Sequence, residues 1–257
     1  LVERAEFVGS SVKEKMALKR PPEKQWVYRQ PPDPYMKVPS AGMLLGPTAS
    51  GKTSTAVALL VKGGPFERVF DSIWLFSPSA RIDSSYEPLA KHIETLKNKG
   101  GLVAEWDIGK ITEIIDEQRK VTEEEKLRNQ KKPLTSCLLI IDDFSDHPEY
   151  MKSGIITQLF VRNRHYGLTV WVLSQKMTAV SLTCRVNFRW IIVWRLRSHK
   201  EMECVLHELS AIHPVKTLLE MYNMAVSDAP YSFWYVNMTK QTDEMFWVQF
   251  EEMLVID

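Results

Sequence analysis

The sequence predicts an α/β fold with a mostly parallel central sheet flanked by helices. Short apolar runs recur along the chain and are separated by helical patterns, the alternation expected of strands joined by crossovers. CLLII (137–141), LTVWVL (168–173) and WIIVW (190–194) are almost wholly apolar, as strands buried on both faces are. The first run, AGMLL (41–45), leads straight into GPTASGKTS (46–54). That stretch matches the phosphate-cradling pattern G-x-x-x-x-G-K-[ST] without a gap.

Residues 1–37 precede the domain and are rich in Pro and charge, with Pro pairs at 21–22 and 31–32. Those pairs break any continuous helix, so 1–37 reads as an arm and 38–257 as the compact domain. Trp26, Val27, Tyr28 and Tyr35 are its candidate anchors to an apolar surface; a disordered tail is the other reading. Within the domain, 53–61 is a good helix former directly after the glycine loop. SIWLF (72–76) is a strand ending at Ser77-Pro78, and 102–106 is a candidate strand. Residues 108–129 form an amphipathic, heavily charged helix with Ile111, Ile114 and Ile115 on one side. After the three buried runs come helices at 200–210 and 213–224, then a hairpin of YSFWYVNM and MFWVQF.

Composition excludes several classes. With 44% hydrophobic and 25% charged residues, the 257-residue chain has the balance of a globular protein with a sizeable core. No stretch approaches the roughly 18 apolar residues of a membrane span, and the N-terminal segment lacks the apolar region of a secretory signal. Cys137, Cys184 and Cys204 are too scattered for a disulfide framework or a zinc site. The net charge of +1 hides an asymmetry. Residues 151–200 carry nine Lys or Arg (Lys152, Arg162, Arg164, Lys176, Arg185, Arg189, Arg195, Arg197 and Lys200) and no Asp or Glu. A one-signed block in a nearly neutral protein points to an anionic partner or to phosphates.

The chemistry follows from the motifs. In the loop of Gly46, Pro47, Thr48, Ala49, Ser50 and Gly51, backbone N–H groups and the following helix N-terminus meet phosphate charge. Lys52 reaches the β- and γ-phosphates, and Thr53, followed by Ser54, offers its hydroxyl to Mg²⁺. CLLIIDD ends a buried strand in Asp142, placing a carboxylate where open α/β sheets bind ligands. Asp142 is the Mg²⁺ residue, and Asp143 orients or deprotonates an attacking water. Gln175, just past VWVLS, contacts the γ-phosphate or positions that water; a polar residue merely ending a strand is the plainer reading. Arg162, Arg164 and Arg185 are candidates for an arginine finger. Asp146, His147 and Glu149 lie close in sequence but lack metal-ligand spacing.

GPTASGKT, LLIIDD, FVRNRHYGLTVWVLSQ and SLTCRVNFRWIIVW, in that order, resemble the poxvirus-type DNA-packaging ATPases. These belong to the FtsK–HerA superfamily of P-loop motors. The resemblance covers roughly residues 40–250 and implies a RecA-like P-loop NTPase fold with ATP and Mg²⁺ as cofactors. It places the family's Walker A lysine on Lys52 and its metal aspartate on Asp142. The catalytic acid falls on Asp143, where many relatives have Glu, and the sensor glutamine on Gln175. The family works as homo-oligomeric rings, pentamers or hexamers, in which an arginine enters the neighbour's site; Arg162, Arg164 and Arg185 all match, and the choice stays open. The implied partners are double-stranded DNA, without sequence preference, and a viral capsid or portal vertex. The implied location is the host cytoplasm, a viral factory or the virion, and residues 1–37 have no counterpart. Two other functions stay open on the residues alone: a small P-loop kinase, and an ATP-gated assembly scaffold that is no motor.

Overall fold

Each apolar run becomes a strand whose side chains alternate between two buried layers, the period of two inherent in extended chain. The computed structural model describes residues 27–98, 100–128, 132–147, 150 and 153–255. Among these the strands are β1 (Ala41–Leu45), β2 (Ser72–Phe76), β3 (Gly101–Val103), β4 (Cys137–Asp142), β5 (Leu168–Ser174), β6 (Trp190–Trp194), β7 (Phe233–Asn237), β8 (Phe246–Val248) and β9 (Glu252–Met253). The helices are α1 (Lys52–Leu60), α2 (Glu87–Thr95), α3 (Ile108–Arg128), α4 (Gly154–Tyr166), α5 (Leu182–Arg185), α6 (His199–Leu209) and α7 (Val215–Ser227).

All nine strands form one sheet in the order β3-β2-β4-β5-β1-β6-β7-β8-β9. The six from β3 to β6 run parallel, and β7, β8 and β9 extend them antiparallel. The predicted mostly parallel sheet with flanking helices is therefore the observed one.

The two faces bury separate cores. Met43 and Leu45, Leu139 and Ile141, and Val170 and Val172 point to one layer with α3, α4, α6 and α7. Leu44, Leu138, Ile140, Trp171 and Leu173 point to the other, shared with α1 and α2. Burial on both faces is why these strands read as unbroken apolar runs.

Three details depart from the sequence reading. The strand expected over 102–106 stops at Val103, and Trp106 instead packs against Phe144 and Tyr150. Helices α2 and α5 are short elements that apolar periodicity did not reveal: Pro88 sits in the first turn of α2, and α5 is a single turn.

Of the candidate anchors in the arm, Trp26 lies outside the described residues. Tyr28 is buried and its segment forms a parallel bridge with Leu134. Tyr35 packs between Phe66 and Phe250, with ring centroids 6.1 and 4.7 Å away. Val27 is exposed.

No helix among the described residues is long and apolar enough to cross a membrane.

Candidate functional site

The glycine loop leaves β1 at the C-terminal edge of the parallel strands, where ligands gather in such sheets. Gly46 is dictated by close approach: a Cβ there would meet Ser50 Oγ at 2.6 Å and Trp194 Cβ at 3.0 Å. Gly51 is dictated by backbone, with φ +102°, a left-handed value that L side chains rarely adopt. Gly51 also caps α1, with no side-chain hydrogen bond at the cap and no acid in the first turn. The N-terminus of α1 thus keeps its free N–H groups and positive dipole end for an anion.

Lys52 is buried, and its ammonium donates to the carbonyls of Gly46 at 2.8 Å and Pro47 at 2.9 Å. Burial lowers its pKa, while the charges of Asp142 and Asp143 oppose that shift. Ser50 Oγ is buried in the same loop and has no hydrogen-bond partner among the described residues. A cradle with an orphaned hydroxyl, an open helix end and a folded-back lysine fits a phosphate chain.

Asp142 ends β4 and is 5% exposed. Burial pushes its pKa up to about 6, moderated by a hydrogen bond from Tyr86 and by the Lys52 charge. Asp143 follows with φ +56°, a conformation that Asp tolerates better than most residues. There the chain turns out of the sheet, and the Asp143 side chain is exposed.

Strand β5 lies between β1 and β4, with Leu45 opposite Ser174 and Asp142 opposite Leu173. Gln175 therefore emerges between the glycine loop and the carboxylates. Its Nε2 donates to Asp143 Oδ1 at 3.1 Å. The segment beyond it is tied to α6, where Glu201 accepts from the Thr178 backbone N–H at 3.1 Å and from its hydroxyl at 2.6 Å.

Thr48 to Ser54, Asp142, Asp143 and Gln175 line one cavity of about 250 Å³ together with Ser79, Asp83 and Ser85. The last three, and Tyr86 behind them, are site residues that sequence reasoning missed. Their segment follows β2, and β2 pairs with β4 so that Phe76 lies opposite Ile141. The sequence marks the segment only as turn-rich, and the pairing that brings it to Asp142 is long-range. A second cavity of about 560 Å³ opens on the other flank of the loop, between Pro47–Ser50, Trp194–Arg197 and residues 226–232.

None of the three candidate arginines lines either cavity. Arg162 and Arg164 are exposed near the end of α4, next to where β5 begins. Arg185 is held within the chain by an ion pair to Glu208 at 3.0 Å, with its side chain 16% exposed.

The acid-free block is divided rather than gathered. Arg162, Arg164 and Arg189 lie toward the N-terminal ends of the strands, whereas Lys176, Arg195 and Arg197 lie at the C-terminal ends. Lys152 and Glu149 are outside the described residues, where no group of three or more His, Cys, Asp or Glu could hold a metal.

A strand, a glycine loop with an open helix, and a strand-end carboxylate pair bridged to the intervening strand's glutamine define a P-loop nucleotide-binding protein. The model of the poxvirus A32 protein family matches residues 35–236. The chain belongs to that family. No curated protein sequence matches it. Among solved structures it is similar to B204, the DNA-packaging ATPase from Sulfolobus turreted icosahedral virus. The identity is 18% and the TM-score 0.52, covering 85% of this chain and 98% of that one. The genome packaging NTPase B204 from Sulfolobus turreted icosahedral virus 2, in complex with sulfate, matches at 17% identity and TM-score 0.51, over 84% and 98% of the two chains. At these identities the likeness speaks for the fold.

Proposed function

We propose that this chain is an ATPase that drives double-stranded DNA into a viral capsid, hydrolysing ATP at interfaces between identical subunits. The observation that carries the reading is the Gln175–Asp143 hydrogen bond at the lip of the phosphate cradle, in a chain of the A32 family. A carboxylate held by an amide beside the γ-phosphate position suits the activation of water.

In this reading the Lys52 ammonium exchanges the Gly46 and Pro47 carbonyls for phosphate oxygens when ATP enters. The loop N–H groups and Ser50 hold the phosphates, and the nucleoside lies in the larger cavity toward β6. Thr53 and Asp142 are the Mg²⁺ residues. Few all-oxygen ligands from the chain suffice, because Mg²⁺ in such sites is completed by phosphates and water. When bound, Mg²⁺ neutralises charge developing on the phosphate oxygens. Asp143 takes the proton of the attacking water, and Gln175 fixes the carboxylate that does so.

The finger comes from a neighbour. Arg164 is exposed and, among the described residues, forms no ion pair, so it is free to enter another subunit's site. Arg185 is already engaged by Glu208. A ring, pentameric or hexameric, supplies the interface that this arrangement needs, with the capsid or portal vertex as its seat.

The test is ATP turnover with and without duplex DNA of unrelated sequences, across a salt series. We expect DNA to stimulate turnover whatever its sequence, with an affinity that falls steeply as salt rises, because phosphate contacts release counterions. Turnover indifferent to DNA would favour the assembly scaffold, and phosphoryl transfer to a small acceptor would favour the kinase.

A further inference from the structure

Among the described residues, Tyr86 is the aromatic side chain that hydrogen-bonds the metal carboxylate from outside the recognised motifs. It closes a short 3-10 turn, Ser84–Tyr86, ahead of α2 and is 2% exposed. Asp83 shapes the turn by accepting from the Ser85 backbone N–H at 2.8 Å. The Tyr86 hydroxyl donates to Asp142 Oδ2 across 56 residues of sequence. Burial and the Asp142 charge raise the phenol's pKa above its ordinary value, and the neighbouring Thr53 and Ser77 side chains act the other way.

A buried tyrosine hydroxyl needs a partner, but a backbone carbonyl would serve. Here the partner is the carboxylate assigned to Mg²⁺, and Thr53, the other residue assigned to the metal, lies beside it. A neutral donor has a property that Lys or Arg at the same place would lack. It fixes one carboxylate oxygen without cancelling the negative charge, and it leaves the second oxygen for the metal's shell. Partners of this kind orient metal ligands, and their loss typically weakens metal binding by about 10–100-fold.

We infer that Tyr86 is a positioning residue for the metal carboxylate, holding Asp142 Oδ2 so that its other oxygen faces the Mg²⁺ of the bound nucleotide. The inference rests on the reading of Asp142 as the metal residue.

The experiment measures binding of a fluorescent ATP analogue to the full chain, in EDTA and through a Mg²⁺ titration. Tyr86→Phe should leave the EDTA affinity unchanged and move the Mg²⁺ midpoint up by about tenfold. In an Asp142→Asn background the same change should move it little, since the two residues act as one unit. Superimposable Mg²⁺ curves for wild type and Tyr86→Phe would overturn the inference, as would an equal shift in both backgrounds. If Tyr86→Phe does not fold, 3-fluorotyrosine at position 86 keeps the packing. Its ¹⁹F resonance should shift when Mg²⁺ is added to the ATP complex, and an unmoved resonance is the negative result. Lys52→Ala is the control: if it binds the analogue normally, the nucleotide site itself is misassigned, whereas failure of Tyr86 alone leaves that site standing.

Discussion

The phosphate-site residues, at one end of the parallel strands, and Arg162, Arg164 and Arg189, at the other, are held in opposite ways. At the C-terminal end, polar groups are held by one another: Lys52 by loop carbonyls, Asp142 by Tyr86, Asp143 by Gln175. At the N-terminal end, Arg162, Arg164 and Arg189 stand without an acid paired to any of them among the described residues. Arg189 feels both burial and the charge of Arg164, which together lower its pKa. Groups that must act on a bound substrate are pre-oriented, and groups left unpaired are available to something that arrives. Strand β5 is seven residues long, so the two ends are about 20 Å apart. Arg164 cannot serve the phosphate loop of its own chain across that distance.

Removing the central charge of the organised end should have the largest effect. Lys52→Ala is expected to abolish ATP hydrolysis and to weaken nucleotide binding strongly, read by turnover and by equilibrium binding. Among the described residues, its ammonium is the only side-chain cation lining the loop cavity. Normal binding by this variant would dissolve the contrast between the two ends.

Next comes the unpaired end. Arg164→Ala should bind ATP normally and lose hydrolysis by about 10³-fold, the scale of known arginine fingers. Mixed with Lys52→Ala subunits, it should recover partial activity, because some interfaces then join an intact Lys52 to an intact Arg164. Complementation by Arg162→Ala or Arg185→Ala instead would move the finger to that residue. A fully active monomer with no complementation would exclude a shared site.

Asp143→Asn should keep ATP binding and lower turnover by about 10²–10⁴-fold, the range for a general base. Near wild-type turnover would mean that the two carboxylates have been given each other's roles.

The smallest effect concerns stability. In free solution an Asp titrates near 3.8, and burial pushes Asp142 up to about 6. Between those values the folded chain keeps a proton that the unfolded chain has released, so this group favours folding at low pH. That contribution is lost as pH rises through about 6. Asp142→Asn should therefore raise Tm by several degrees at pH 8 without metal or nucleotide, and by less at pH 5. An equal gain at both pH values would show that the carboxylate's charge is not what burial penalises.

Much of this was legible in the sequence, because the rules involved are local. The boundaries of β1, β2 and β6, AGMLL, SIWLF and WIIVW, agree with the structure to the residue. Runs buried on both faces contain little else than apolar residues. The glycine loop announced itself because close backbone approach and a left-handed φ admit few residues other than glycine. Asp142 could be placed because a carboxylate just past a buried strand has only the sheet's edge to occupy. The order of the strands was not legible, since it depends on contacts between residues far apart in the chain. That order sets β5 between β1 and β4, which turns Gln175 from a strand-end polar residue into the partner of Asp143. It sets β2 beside β4, which brings Tyr86 to Asp142. It also divides a block of nine like charges, continuous in sequence, between two ends of the sheet, because a strand carries whatever precedes and follows it to opposite edges.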